Sequence, residues 1–266
     1  MLIVGERINT SRKAIRPAVE KKDTVFIQEE ARKQVQAGAT MIDVNCGTFV
    51  NKESEYLEWL VETVQQAVDL PLCIDSPDPE GIKAALEHHR NGKPLVNSIT
   101  AQSDRFDQIL GLIIEHRSSV VALCLDDKGM PESTDDVLRI ASTLVEKLTS
   151  AGVPECDIYI DPVVRPVGTN PTYGKIVLES IGRIASEFES VHTICGLSNI
   201  SYGLPLRKLL NQNFLTMCLC AGLDAVILDP LDQRMMSNLM ASQALLGEDE
   251  MCLNYITVFR EGRLTL

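Results

Sequence analysis

Eight short β-branched runs alternate with eight longer segments of helical periodicity, and this alternation is the strongest constraint on what the chain can become. The runs are Leu2–Gly5, Thr40–Asn45, Pro71–Asp75, Pro94–Asn97, Ser118–Leu125, Asp157–Ile160, Val191–Gly196 and Asp224–Leu228. The segments between and after them are Thr24–Gly38, Lys52–Val68, Pro79–His89, Arg105–His116, Thr134–Ala151, Pro171–Glu187, Leu206–Ala221 and Leu231–Leu245. In Lys52–Val68 the apolar residues Tyr56, Leu57, Leu60, Val64 and Ala67 form one stripe. Eight strands, each followed by a helix within about 250 residues, predict a (β/α)8 TIM barrel. The strands are apolar nearly throughout, as strands covered on both faces must be. A doubly wound open sheet is the rival. Against it, no G-x-G-x-x-G follows any strand. The stretch Cys252–Phe259 is read as either an added strand or a covering helix.

The 266 residues hold no Gly/Ser- or Pro-rich linker, so a single domain over residues 1–266 is expected. The net charge is −12, from 25 Lys+Arg against 37 Asp+Glu. That balance argues against nucleic acid, whose phosphates need clustered cations. No run of about 20 uncharged apolar residues predicts a membrane span. The start, Met1 to Arg7, is charged too early for a signal peptide. Eight cysteines without a C-x-x-C pair, five of them in or beside apolar runs, read as reduced packing residues. Their pattern and that of His88, His89, His116 and His192 predict no metal site and a cytoplasmic protein.

In a barrel of this kind the C-terminal ends of the strands surround the site. Here those ends are polar: Glu6-Arg7-Ile8-Asn9, Asp43-Val44-Asn45, Asp75-Ser76, Asn97-Ser98, Asp126-Asp127, Asp161-Pro162, Ser198-Asn199 and Asp229-Pro230. A single Asp after a strand is usually a turn former or helix cap. Eight polar ends on one rim suggest more. Asn and Asp dominate, and no nucleophile sits beside a base, so covalent catalysis is not indicated. The same groups suit a hard cation. Their spread over many strands favours a cradle for a flat, neutral, donor-rich ligand. A pterin ring fits that description, because its amino group and ring NH match a carboxylate bidentately.

Gly5-Glu6-Arg7-Ile8-Asn9, Asp43-Val44-Asn45, Cys73-Ile74-Asp75-Ser76, Val96-Asn97-Ser98, Tyr159-Ile160-Asp161-Pro162 and Gly196-Leu197-Ser198-Asn199 occur in the order and spacing of pterin-binding barrels. Over nearly its whole length the chain resembles the methyltetrahydrofolate:corrinoid protein methyltransferases, which are similar to the folate domain of cobalamin-dependent methionine synthase. The resemblance implies that Asp75 clamps the pterin amino and ring NH groups, and that Asn97 and Asp161 complete the ring's hydrogen bonds. It implies that Asn199 approaches the methyl-bearing ring nitrogen and is the catalytic residue. Gly196, Ser198 and Arg207 match further pterin-contacting positions, and Glu6 and Asn9 support the ring from the same rim.

The implied substrates are tetrahydrofolate or methyltetrahydrofolate and a corrinoid. No D-x-H-x-x-G corrinoid signature is present, so the corrinoid is expected on a separate, transiently docked protein. A homodimer is implied as well. Two stretches depart from the family: Ser201-Tyr202-Gly203-Leu204 replaces a Gln-bearing loop, and Arg165–Asn170 is individual. Partner choice is expected to lie in such loops. Two other readings remain open. Dihydropteroate synthases resemble the chain at Asp75, Asn97 and Asp161. Their Ser-Thr-Arg-Pro-Gly loop is replaced here by Cys46-Gly47-Thr48-Phe49-Val50, and their Arg-x-His pair is missing after strand eight. A folate-binding subunit without activity would carry the same cradle.

Overall fold

The structure is a computed structural model that describes residues 1–265. Eight parallel strands close into a barrel in sequence order: β1 Leu2–Asn9, β2 Met41–Asn45, β3 Leu72–Asp75, β4 Leu95–Thr100, β5 Ser119–Leu123, β6 Ile158–Asp161, β7 His192–Gly196 and β8 Ala225–Leu228. β8 pairs with β1, from Leu2↔Ala225 to Gly5↔Leu228, and this pairing closes the ring. The expected (β/α)8 barrel is therefore the fold, and the open sheet is excluded.

The helices are α1 Ile15–Glu20, α2 Thr24–Gln36, α3 Glu53–Gln65, α4 Pro79–His88, α5 Ser103–His116, α6 Thr134–Ser150, α7 Tyr173–Glu187, α8 Arg207–Ala221, α9 Gln233–Leu245 and α10 Leu253–Arg260. Polar residues at the strand-to-helix turns start several of them. The Asp23 carboxylate accepts from Phe26 N–H, Asp78 from Glu80 N–H with Pro79 in the first turn, and Asp232 from Met235 N–H. The stretch Cys252–Phe259 is helical: Cys252 ends a 3-10 turn and Leu253–Phe259 fall in α10, which packs on α9, so the strand alternative is discarded.

Two differences from the sequence reading concern β1. The short helix α1 follows it, where the sequence pattern showed no element. The strand itself runs to Asn9 rather than Gly5, across a bulge at Glu6-Arg7: Gly5 faces Ile42, but Ile8 faces Val44. One extra residue on β1 bends the strand and re-aims its side chains. Gly5 permits this, because a Cβ there would lie 2.5 Å from Gln34 Oε1. That oxygen accepts the Arg7 backbone N–H at 3.1 Å and so holds the bulge.

Most of the core lies between strands and helices, where Ile42, Ile74, Val96, Val120 and Ile160 meet α-helical residues such as Leu57, Leu60, Ile82, Ile109 and Leu144. A smaller cluster fills the barrel lumen: Val4, Met41, Cys73, Leu95, Val121, Ile194 and Ala225, with Leu2, Tyr159 and Ile227 against it. The lumen is thus plugged at its lower half, as closed eight-stranded barrels are.

Candidate functional site

Side chains on a strand alternate between two faces, so the lumen cluster predicts which later residues also point inward. Two residues past Val4 comes Glu6. Asp43 and Asn45 follow Met41, Asp75 follows Cys73, and Asn97 follows Leu95. Asp161 follows Tyr159, Gly196 follows Ile194, and Asp229 follows Ile227. The inner face therefore changes from apolar to polar along the barrel axis. Register places Asn45, Asp75 and Asn97 side by side on β2, β3 and β4, with Asp43, Cys73 and Leu95 one layer below.

The carboxyls in this upper layer are short of donors. Asp75 accepts from the Asn45 amide at 2.8 Å, and Asn45 Oδ1 in turn accepts from Gly47 N–H at 3.0 Å, which fixes the amide's orientation. Burial pushes the Asp75 carboxyl up to about 6, against the Asn45 bond and the Arg105 guanidinium that favour its charge. Asp161 accepts one backbone bond, from Val163 N–H at 2.8 Å, and burial pushes it up to about 7. Val163 adopts φ of 67°, an uncommon conformation for a β-branched residue, and this turn aims its N–H at the carboxyl.

Asp43 is 2% exposed, and its Oδ1 has no partner among the described residues. Burial, then the neighbouring Asp75 carboxylate, holds it well above the usual range, while the Cys73 thiol donates to it. Glu6 is raised by burial as well, against the pull of Arg12, and its charge also bears on Asp43. An ionised carboxylate in such a place needs donors to offset its desolvation. A ligand with several N–H groups on one edge supplies them.

The remaining predicted residues lie on the β1–β7–β8 side. A 3-10 turn, Leu197–Ser201, follows β7. Asn199 is exposed on it, with its backbone carbonyl accepting from Tyr202 N–H at 3.1 Å. The Ser198 hydroxyl lies 3.5 Å from Glu6 Oε1. Arg207, the first residue of α8, donates to the Ser198 carbonyl at 2.6 Å and to the Ser201 hydroxyl at 3.1 Å, so it braces the turn. At Gly196 a Cβ would meet nothing within 4 Å, so this position opens onto free space. Glu6, Asn9, Ser198 and Arg207 together line a cavity of about 440 Å3. Asn9 also turns the chain, its Oδ1 accepting from Ser11 N–H at 2.9 Å.

Several polar strand ends are spent within the protein. Asp126 pairs with Arg139 at 2.9 Å, and Asp127 accepts from the Ser103 N–H and hydroxyl. Asp229 pairs with Arg7 at 3.0 Å and Arg12 at 3.1 Å. Arg12 continues to Glu6 at 3.0 Å, and Arg7 to the buried Glu30 at 2.9 Å. These are turn and bracing residues, as the ordinary reading of a post-strand Asp holds. Cys46 and Cys195 are buried, and burial keeps the Cys46 thiol protonated, consistent with packing. Among the described residues, Glu58, Glu62 and His88 approach closely enough to share a cation, but they belong to α3 and α4 on the barrel exterior.

Sequence reasoning missed four contributors. Asp43 and Asn45 stood in the strand-two motif without a role, although period-two alternation from Asp43 would have aligned both. Arg12 and Arg105 gave no local signal. Arg105 reaches from α5 to the Ser76 and Ser98 carbonyls at 3.2 Å each and to the Pro77 carbonyl, holding the β3 and β4 turns beside Asp75.

Comparison with known proteins agrees with this geometry. Residues 5–229 match the family model described as "Pterin binding enzyme". The methylcorrinoid:tetrahydrofolate methyltransferase of Eubacterium limosum is 38% identical over 99% of this chain and 98% of its own length. Methionine synthase of Mycobacterium tuberculosis is 31% identical over 85% of this chain, which spans 20% of that protein. Among solved structures, a dihydropteroate synthase of Xanthomonas albilineans superposes with a TM-score of 0.72 at 17% identity, covering 94% of this chain and 93% of its own, which is a likeness of fold. Among the described residues, no helix is long and apolar enough to cross a membrane. The barrel, its polar inner rim and the full-length match agree: the chain belongs to the pterin-binding enzyme family.

Proposed function

We propose that this chain is a methyltransferase that moves a methyl group between a corrinoid carried on a separate protein and tetrahydrofolate. The observation that carries the reading is the inward row Asn45–Asp75–Asn97 on β2, β3 and β4 with Asp161 on β6: two buried carboxyls short of donors beside an inward Asn97, in a chain 38% identical, end to end, to a protein named for that reaction. The pterin's amino group and ring NH donate to Asp75, while Asn97 and Asp161 hold the rest of the ring's polar edge. Ionising Asp75 and Asp161 is costly in the empty site and favourable once these donors arrive. Binding therefore selects the ring by its edge.

Asn199 faces the reacting nitrogen. In transfer to tetrahydrofolate the nitrogen lone pair forms the new C–N bond, the carbon–cobalt bond breaks, and its electron pair stays with cobalt. The nitrogen then gives up its proton. Asn199 stabilises the transient positive nitrogen through its side-chain carbonyl, a preorganised dipole at the point where charge develops. In the reverse direction the same contact supports the protonated nitrogen as leaving group. The exposed position of Asn199 leaves the mouth accessible to a docking corrinoid protein. The protein works in the cytoplasm as a homodimer, a state that light scattering checks.

Dihydropteroate synthase activity has the fold and the resemblance at Asp75, Asn97 and Asp161 in its favour, and against it the replaced Ser-Thr-Arg-Pro-Gly loop and the missing Arg-x-His pair. The test is to mix the protein with methylcobalamin or a methylated corrinoid protein and tetrahydrofolate, and follow the corrinoid spectrum. Transfer supports the reading. Folate binding without turnover on any corrinoid leaves a binding subunit instead. Asn199→Ala is expected to slow transfer at least tenfold, the scale for removing one transition-state dipole, with folate affinity changed far less. Equal losses in both overturn the role of Asn199.

A further inference from the structure

Asp75 and Asn97 lie at the upper ends of neighbouring strands, and the residues that follow them are stitched together. Ser76 N–H donates to the Asn97 carbonyl at 3.1 Å. The Ser76 hydroxyl donates to Glu53 Oε1, on α3, at 2.5 Å. Arg105, in the first turn of α5, spans both strand ends with one guanidinium. It donates to the Ser76 and Ser98 carbonyls at 3.2 Å each, and to the Pro77 carbonyl. Ser76, next to the Asp75 carboxyl, is thus gripped from β4 and from two helices. A planar fork has fixed donor directions. It therefore sets the spacing of the carbonyls it joins, and through them the spacing of Asp75 and Asn97.

The charge of this arginine is left over. Among the described residues its hydrogen bonds go to neutral carbonyls, so no contact pair cancels it. Burial works against that charge, and the Asp75 and Asp78 carboxylates favour it. Around Asp75 stand Asp43 and the Asn45 amide on β2, Cys73 on its own strand, Asn97 on β4, Glu53 on α3 and Arg105 on α5. Burial is the main force against a charge on Asp75, and Glu53 adds to it. The Asn45 amide and the Arg105 cation oppose them.

We infer that Arg105 is a positioning residue of the pterin site: it fixes the spacing of the strand ends that carry Asp75 and Asn97, and it places the cation that lets Asp75 meet the ring as a carboxylate. This rests on the pterin-binding reading and adds to it a residue, outside the ring's own contacts, that sets the pH range of binding. Substitution separates the two effects. Arg105→Lys keeps the charge and loses the fork. Arg105→Gln loses the charge and keeps part of the tether. An opposite charge close to a carboxyl lowers its midpoint by about 1 to 3 pH units, and the half-buried guanidinium belongs at the lower end, about one.

The test is anaerobic titration of the full chain with 6-methyltetrahydropterin across pH, for wild type, Arg105→Gln, Arg105→Lys and Asp75→Asn. Wild-type affinity is expected to rise with pH through about 6, where Asp75 ionises, and Asp75→Asn is expected to lose that step. Asp161 and the ligand titrate alike in all the proteins, so they cancel in ratios to wild type. In Arg105→Gln the step is expected to move up by about one pH unit, so its loss of affinity is about tenfold greater at about pH 5.5 than at about pH 8.5. Arg105→Lys is expected to bind more weakly by a similar factor at every pH, with the step unmoved. If Arg105→Gln does not fold, Arg105→Lys still decides, since a moved step there overturns the inference. A loss in Arg105→Gln that is the same at every pH, or no loss, also overturns it, while the pterin reading stands on the wild-type step. If wild type binds no pterin at any pH, both fall.

Discussion

Asp161→Asn isolates the cost of placing a carboxyl at the inner rim. Asn keeps an oxygen where Val163 N–H donates at 2.8 Å, and it is nearly the same size, so the turn is preserved. What changes is the ability to ionise. Burial raises the Asp161 carboxyl from 3.8 to about 7 in the folded chain. A carboxyl raised on folding stabilises the protein fully below its unfolded value and loses that contribution as pH rises through its folded value. The window is therefore from about pH 4 to pH 7, and stability falls as pH rises within it. A rise of about 3 units at about 1.4 kcal/mol each gives at most about 4 kcal/mol of destabilisation above pH 7. Partial access to water at the barrel mouth reduces this. Urea unfolding of both proteins at pH 5 and pH 8 measures it. At pH 5 the substitution gains about 1 to 2 kcal/mol, and at pH 8 about 2 to 4 kcal/mol. The same substitution is expected to weaken pterin binding by tenfold or more, since a hydrogen bond to a charged acceptor contributes about 1.5 to 3 kcal/mol. A stability gain at pH 8 no larger than at pH 5 refutes the raised carboxyl. A gain in stability without loss of pterin affinity refutes its role as an acceptor for the ring.

Three further substitutions or reagents test the surrounding frame. Arg12→Ala removes the cation shared by Glu6 and Asp229, at 3.0 and 3.1 Å, and is expected to cost about 1 to 3 kcal/mol in unfolding free energy; a neutral result shows that the bridge is dispensable. Gly5→Ala drives a Cβ against Gln34 Oε1 and displaces the acceptor of Arg7 N–H, with an expected loss of about 1 to 3 kcal/mol by thermal or urea unfolding. A thiol reagent added to the native protein is expected to modify Cys156 and Cys220 first, with Cys252 slower, and to reach Cys46, Cys73, Cys124, Cys195 and Cys218 only on unfolding; fast native labelling of Cys46 or Cys195 contradicts their packing role.

The barrel was legible because its signal is local. Strand runs and helical stripes repeat within a few residues, and apolar strands imply cover on both faces. Element ends were less legible at β1, where the strand continues to Asn9 through a bulge held by Gln34 on another element. Helix α1 was missed for a similar reason: its buried residues Ile15, Ala18 and Val19 pack against the neighbouring layer, and six residues are too few for a periodic signal.

The local order of residues determines which side chains can look into the mouth. Alternation along β3, β4 and β6 puts Asp75, Asn97 and Asp161 on the lumen face whatever the neighbouring strands do, because the period of two belongs to the backbone. Which of the acidic ends remain short of partners is decided only when the ring closes. Asp229 meets Arg7 and Arg12 across 222 and 217 positions of chain and is consumed by them. Asp127 meets Ser103, and Asp126 meets Arg139. Asp43, Asp75 and Asp161 are walled in by apolar strands with few donors in reach, so they keep unused acceptor capacity. Hydrogen-bond satisfaction is a property of spatial neighbours, and those neighbours are distant in sequence. That is why the sequence shows an acidic rim and the tertiary structure separates its paired carboxyls from those short of partners.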